Sequence, residues 1–372
     1  MPRVLHLYKD IFPPVYGGIE VVLGKLAARQ ARKGWEVSAA VSGPVDRAWG
    51  ERKGVRVIDV GEWGRLLSNP ITSGFLTVLG NEEYDFLHLH LPCPTAVLST
   101  LLAGRRDVPW FASYQSDIVR QRITGAIYSP FQRRFLSRCS TVFVSSPPFL
   151  ESSPVLGRSK IRAKIVPLGI SPEDLTAEDR LRGADIRSDY GGRRIVLFVG
   201  RFRWYKGLEV LIDAMDAVDA VLLIAGSGTP ARERALRGRA ESMKRPDRVR
   251  FLGTVRGLGP LFAAADLVCL PSSHRAEAFG YVLLEAFRAG VPAVTTELGT
   301  GTSYVNLDGE TGFVVPPSDP PALAAAIRRI VEDPTLRESF SEAARRRVLN
   351  EFGLDAMVDS ILEAYEEAAR PA

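Results

Sequence analysis

The stretch Ile195–Gly207, IVLFVGRFRWYKG, decides the fold. Five uninterrupted apolar residues, three of them β-branched, are too few for a helix and read as a strand buried on both faces, as in a parallel sheet. Gly200-Arg201 follows at its carboxyl end, and Lys206-Gly207 opens the amphipathic stretch Gly207–Ala217, which has the length of a helix. Strand, short polar loop and helix make the beginning of a βαβ unit. The alternation continues downstream. Strands are expected at Ala220–Ile224, Val249–Leu252, Leu267–Leu270 and Pro292–Thr295, and helices at Ala231–Met243, Tyr281–Ala289, Leu323–Val331 and Asp355–Ala369.

Upstream the same grammar holds. Val4–Leu7, Glu36–Val41, Val55–Val60, Phe86–Leu89, Trp110–Ser113 and Thr141–Ser145 read as strands, and Glu20–Lys33 as a helix ended by Gly34. The pattern breaks at Val166–Ile170 (VPLGI), and Ser171–Gly192 is polar and rich in Asp, Arg and Gly, which suits a linker. A chain of 372 residues exceeds one ordinary core. The expectation is an α/β protein with two doubly wound domains facing a cleft. Residues 1–170 form the first domain, 171–192 the linker, 193–352 the second domain and 353–372 a closing helix. Ligands of such sheets sit outside the carboxyl ends of the strands, so the cleft is the expected site.

Composition narrows the function. Apolar residues make up 46% and charged residues 24%, as in globular proteins. The N-terminus runs straight into a strand pattern without a signal-peptide core, and no apolar run is long enough to span a bilayer. Cys93, Cys139 and Cys269 lie far apart without metal spacing, so a reducing compartment, no disulfide and no metal are expected. The protein reads as cytoplasmic. Residues 1–170 hold 22 Lys/Arg against 13 Asp/Glu, or +9, which leaves −4 of the net +5 for the rest. No nucleic-acid motif accompanies that charge. An anionic membrane surface or a lipid diphosphate suits it better, through Arg120, Arg122, Arg133, Arg134 and Arg138 in a helical stretch; a solvated basic face is the plain alternative.

The strongest constellation is Ser272–Glu285, SSHRAEAFGYVLLE. Phe279-Gly280 falls at a loop-to-helix turn where glycine admits a ligand close to the backbone, and the first-turn amides around Tyr281 and Val282 suit an anion. Glu285 is placed to accept from ribose hydroxyls and Glu277 from sugar hydroxyls. An unpaired carboxylate within VLLEAF is costly, which weighs against reading Glu285 as mere surface. Arg201 and Lys206, a fork and a point charge, suit a diphosphate. Gly226, in the turn Ala225–Gly228, lies near a nucleotide base or simply makes the turn.

Together these segments resemble glycosyltransferase family 4, the retaining GT-B enzymes. The resemblance rests on Gly17-Gly18-Ile19-Glu20, GRFRWYKG at 200–207 and EAFGYVLLEA at 277–286, supported by VPLGI, FLGTV at 251–255, AADLVCLPS at 264–272 and TGFVVPP at 311–317. It implies two Rossmann-like domains, no essential metal or cofactor, and a C-terminal helix that crosses back to the first domain. Gly17 and Gly18 would lie beside the donor diphosphate and acceptor, Arg201 and Lys206 on the diphosphate, and Glu277 on the transferred sugar. Phe279, Gly280, Tyr281 and Val282 would meet phosphates and sugar, and Glu285 the ribose. ELGTGTSYVN at 297–306 resembles a bacterial O-antigen and exopolysaccharide subgroup, with GDP-mannose as first-choice donor, a UDP-sugar second, and a glycan or lipid-linked acceptor. In that subgroup a His is expected where Gln115 stands, in YQSDIVRQ; Gln can hydrogen-bond there but cannot become cationic. His88 and His90 are possible substitutes, expected on opposite faces of their strand so that at most one faces the cleft; His6 and His274 are weaker. A sugar-nucleotide epimerase on the same fold and a binding protein without turnover are the alternatives. A nicotinamide dehydrogenase is disfavoured, because no G-x-G-x-x-G follows the first strand.

Overall fold

The computed structural model describes residues 1–66, 69–118, 122–158, 161–173 and 175–370, with the side chains of 122–126 and 158 left aside. Two compact units form, one from Met1–Gly169 with Leu354–Ala372, the other from Ile170–Gly353.

The first unit begins with β1 (Arg3–Tyr8), α1 (Gly18–Arg32), β2 (Glu36–Val41), α2 (Arg47–Lys53) and β3 (Val55–Asp59). A small antiparallel hairpin, β4 (Gly64–Leu66) and β5 (Asn69–Ile71), and α3 (Gly74–Asn81) follow. Then come β6 (Phe86–Leu91), α4 (Pro94–Ala103), β7 (Trp110–Tyr114), α5 (Arg122–Arg138), β8 (Thr141–Val144), α6 (Pro147–Ser152) and β9 (Ala163–Ile165). Seven of these strands make one parallel sheet in the order β3-β2-β1-β6-β7-β8-β9. Every residue of β6 and β7 is buried, as strands covered on both faces require.

The second unit holds α7 (Ala177–Asp189), β10 (Ile195–Val199), α8 (Leu208–Met215), β11 (Val221–Ala225), α9 (Pro230–Glu241), β12 (Val249–Gly253), α10 (Gly259–Ala264) and β13 (Leu267–Leu270). It continues with α11 (Tyr281–Arg288), β14 (Ala293–Thr296), α12 (Gly301–Val305), β15 (Gly312–Val315), α13 (Pro320–Glu332) and α14 (Pro334–Glu351). Its six parallel strands run β12-β11-β10-β13-β14-β15. α15 (Leu354–Ala369) belongs to the first unit, where it packs on α1 and buries Val358, Ile361 and Tyr365. Arg29 and Lys33 of α1 pair with Asp355 and Asp359 of α15.

One expectation fails. The polar stretch Ser171–Gly192 is not a linker, because most of it is α7, an integral part of the second unit. Thr176 and Asp179 close a capping box at its start. Gly183 lets the helix lie against α10, where a Cβ would stand 2.6 Å from that of Ala263. Arg187 anchors it to the buried Asp266. Only a narrow strip of α7 is buried, so its composition reads as loop although its backbone is helix.

Candidate functional site

In the second unit β10 and β13 are neighbours in the sheet but not in the chain, and the remaining strands extend to opposite sides of them. That is a topological switch point, the position at which open α/β sheets bind their ligands. The loop after β10 carries Gly200, Arg201 and Lys206; the loop after β13 carries Ser272 and Glu277. The fold thus brings together two segments some seventy positions apart in the chain.

The loops are locked to one another through their backbones. The Ser273 N–H donates to the Tyr205 carbonyl at 2.7 Å. Gly207 has φ +66°, and a Cβ there would lie 1.9 Å from the Pro271 carbonyl oxygen, so only glycine allows the approach. Across this contact the Lys206 ammonium pairs with Glu277 Oε2. Ser272 Oγ donates to the same carboxylate oxygen at 3.0 Å, and Thr300 Oγ1 donates to the Glu277 carbonyl at 2.7 Å. Thr296 in turn holds the Ser272 carbonyl through its hydroxyl. Glu277 is only 8% exposed and Ser272 fully buried.

The electrostatics follow from this packing. Burial pulls the Lys206 ammonium down, but the Glu277 carboxylate, with smaller help from Tyr205, more than offsets it and leaves the pKa above its ordinary value. The neighbouring Tyr205 phenol is raised by burial; Lys206, Glu277, Arg203 and Arg201 all act on it, which places Arg201 within the same charged cluster. Arg201 itself is exposed and has no carboxylate partner among the described residues. The site therefore holds one neutralised cation, Lys206, beside exposed ones, Arg201 and Arg203.

α11 starts at this cluster. Gly280 caps it with φ +79°, and a Cβ there would come within 2.8 Å of Leu270. The Leu283 N–H donates to the Gly280 carbonyl at 2.8 Å and closes the first turn. Phe279 and Tyr281 are buried, whereas Val282 and Glu285 are half-buried. Burial, then the charge of Glu285, raises the Tyr281 phenol. Gly226 has a packing reason of its own, since a Cβ there would stand 1.9 Å from the Gly200 carbonyl oxygen.

Site residues expected in the first unit are distributed differently. Gly17 is extended and caps α1, and a Cβ on it would collide with the Glu20 carboxylate, whereas Gly18 faces open space. Gln115 directly follows β7, 9% exposed, with Oε1 buried and unpartnered among the described residues. It lines a small pocket with Ser113, Ser145 and Met357. Arg120 lies outside the described residues, as does the rest of 119–121.

The histidine expectation is corrected. His88 and His90 do not point to opposite faces: they are two residues apart, so the strand period puts them on one face, and their rings stack at 4.6 Å. His6, in register with His88 across the β1–β6 pair, joins them. His6 Nδ1 lies 3.1 Å from His90 Nε2, and His6 Nε2 lies 2.7 Å from Gln30 Oε1. His88 meets Tyr365 and, at 2.8 Å, Ser113. All three rings are fully buried, and their nitrogens form the one group among the described residues close enough to share a metal ion. Burial lowers His6 to about 4, and burial with the other imidazoles puts His88 and His90 well below the ordinary histidine value. His274 stays outside this network, its ring against Trp204 at 4.9 Å.

Ser272, Thr296 and Thr300 were not singled out from sequence. Small hydroxyl residues carry no charge pattern, and only the fold shows that they brace Glu277.

Residues 185–347 match the family described as glycosyl transferases group 1, and residues 17–169 match the glycosyl transferase 4-like domain. The O-antigen chain mannosyltransferase C of Escherichia coli is 34% identical over 370 residues, covering 98% of each chain. The chain belongs to the group 1 glycosyltransferases. D-rhamnosyltransferase WbpZ of Pseudomonas aeruginosa is 32% identical over 358 residues, covering 93% of this chain and 91% of its own. Among solved structures, Anabaena HepE in complex with UDP-glucose superposes with a TM-score of 0.82 at 19% identity, over 98% of this chain and 99% of its own. The glycosyltransferase thus has the GT-B fold, with two parallel-sheet domains. No helix among its described residues is long and apolar enough to cross a membrane.

Proposed function

We propose that this glycosyltransferase is a retaining hexosyltransferase of surface-polysaccharide synthesis. GDP-mannose is its first-choice donor, a UDP-sugar its second, and a glycan or lipid-linked sugar its acceptor. Mannose is favoured by the mannosyltransferase relative. The D-rhamnosyltransferase keeps a second sugar in play, and the UDP-glucose complex of HepE a second nucleotide. The observation that carries the reading is the Lys206–Glu277 pair braced by Ser272 beside the exposed Arg201.

Arg201 and Lys206 would bind the donor diphosphate and offset the charge that grows on it as the glycosidic bond breaks. The first turn of α11, from Gly280 through Tyr281 and Val282, would add amide donors to the same phosphates. Glu277 would receive sugar hydroxyls and Glu285 the ribose, with Phe279 and Gly226 shaping the walls. Gly17, Gly18 and Gln115 would serve the acceptor side. The departing phosphate oxygen would take the acceptor's proton, so no metal or cofactor is required. The enzyme would work at the cytoplasmic side of the membrane, where nucleotide sugars are made.

The test is direct. Purified protein is given labelled GDP-mannose, GDP-rhamnose or UDP-glucose with lipid-linked glycan, and the product's anomeric configuration is read by NMR. Transfer with retention, lost in Lys206→Ala and Glu277→Ala, supports the reading; unaltered donor binding and transfer in both variants overturns it. Gln115 favours one second reading, a sugar-nucleotide-binding protein of reduced turnover, because an uncharged amide stands where the resemblance expects a histidine. Donor binding in calorimetry without transfer in wild type, and with transfer in Gln115→His, would support that second reading.

A further inference from the structure

Two neighbouring strands of the first unit run out into polar residues that stand side by side. β7 and β8 are parallel, with Ser113 opposite Phe143 and Tyr114 opposite Val144. One step further, Gln115 follows β7 and Ser145 follows β8. They lie at the carboxyl end of the sheet, the end at which such sheets meet ligands. Backbone bonds continue the ladder around them: the Gln115 N–H donates to the Leu91 carbonyl at 3.3 Å, and the Val166 N–H to the Val144 carbonyl at 2.9 Å. The strand period puts Ser113 on the same side as Gln115. The three side chains are the polar lining of one small pocket, whose walls include Val22 of α1 and Met357 and Ile361 of α15.

Hydrogen bonding in this pocket is incomplete in a specific way. Gln115, Ser113 and Ser145 are 9%, 6% and 3% exposed. Gln115 Oε1 and Ser145 Oγ are both buried without a hydrogen-bond partner among the described residues. Two such groups in one pocket are costly unless they share a partner. An amide oxygen only accepts, whereas a hydroxyl has a hydrogen to give, and one water joins groups that stand too far apart for a direct bond. His88 brings in the third group. Burial keeps its imidazole neutral, with one ring hydrogen. The Tyr365 hydroxyl meets Nδ1, and Ser113 Oγ lies 2.8 Å from Nε2. If the phenol gives its hydrogen to Nδ1, the ring hydrogen sits on Nε2 and goes to Ser113. The Ser113 hydrogen is then free for the pocket, and two hydroxyls converge on one amide oxygen.

We infer that Ser145, with Ser113 behind it, is a positioning residue for Gln115. The two hydroxyls hold Oε1 inside the pocket through one bridging water. A carboxamide carries oxygen and nitrogen on separate prongs, so an inward Oε1 turns the Nε2 hydrogens away from the pocket. Residue 115 thereby offers a fixed, uncharged hydrogen-bond donor to a sugar oxygen on the acceptor side. A loose amide would present donor and acceptor in turn. The effect on rate rests on the proposed transfer reaction; the direction of the amide does not.

The test combines NMR with kinetics on the full-length protein. Glutamine side-chain amides are isotope-labelled, and the Gln115 resonance is identified by its loss in Gln115→Met. Ser145→Ala should shift that resonance and speed its hydrogen exchange, while Ser145→Thr, which keeps the hydroxyl, should restore most of both; thermal midpoints should stay alike. In initial rates Ser145→Ala should lower kcat/KM about tenfold, the loss of one hydrogen bond. In a Gln115→Met background the same change should cost less than about twofold, because Ser145 acts only through Gln115. Gln115→Glu, with oxygen on both prongs, should lose as much as Gln115→Met. An unmoved Gln115 resonance in Ser145→Ala, additive losses in the double variant, or full activity in Gln115→Glu would overturn the inference. Absence of transfer by wild type with every donor would instead strike the proposed reaction, and the resonance would still decide where the amide points.

Discussion

Two buried polar clusters, one in each unit, solve the same problem in opposite ways. At the end of β10 and β13, Lys206 keeps its charge because Glu277 is beside it. Between β1 and β6, His6, His88 and His90 have no carboxylate among their recorded partners, and burial holds them neutral. A charge can be kept out of water only with a counter-charge; without one the group gives up its proton. The charged cluster lies at strand ends, where the fold places ligands, and the neutral one in mid-strand beneath α1 and α15, where it joins the C-terminal helix to the sheet through Tyr365.

The comparison breaks most sharply at Glu277. Glu277→Ala leaves a buried ammonium unpaired, so we expect a loss of about 3–5 kcal/mol in the second unit and a fall in turnover of about 100-fold or more, read by thermal melting and initial rates. If Lys206→Met/Glu277→Leu were as unstable as Glu277→Ala, the pair would not be the cause.

Next comes acid. The folded His6 pKa of about 4 lies below its unfolded value near 6.5, so the unfolded chain takes up protons first. Its contribution is complete above pH about 6.5 and declines as pH falls toward 4, by about 3 kcal/mol for His6 alone, with His88 and His90 acting in the same direction. Lys206 has the opposite sign: its raised pKa contributes below pH about 10.5 and is lost only at higher pH. Hydrogen exchange at pH 5 should therefore show β1 and β6 opening before β10 and β13. His6→Phe/His88→Phe/His90→Phe, if folded, should flatten the acid limb.

The smallest effect sharpens the charged side. Ser272→Ala removes one hydrogen bond to Glu277 Oε2, and about 1–2 kcal/mol in kcat/KM is expected, with the donor KM rising and Ser272→Thr restoring part of it. An effect on stability alone, at constant KM, would make Ser272 merely structural.

Much of this was legible in one dimension. Period and length marked the strands Ile195–Val199 and Leu267–Leu270, and glycine punctuation marked the helix starts at Gly207 and Gly280, because a helix entrance in left-handed backbone leaves few choices of residue. The charged residues expected to hold a donor, Lys206 and Glu277, do meet. Less legible were elements whose burial is a thin strip, such as α7, and elements at an edge, such as β9. Their exposed residues outnumber the buried ones, and the hydrophobic period disappears.

What the sequence determined by itself was local: which segments alternate, where the chain turns, and which charges stand beside glycines at strand ends. Tertiary structure decided everything that depends on strand order. Only the crossover that seats β13 beside β10 turns Lys206 and Glu277 into a pair, and only the pairing of β1 with β6 gathers three histidines into one hydrogen-bonded core. The reason is physical. A residue's propensity depends on its neighbours in the chain, but its charge state depends on what burial places within a few ångströms of it.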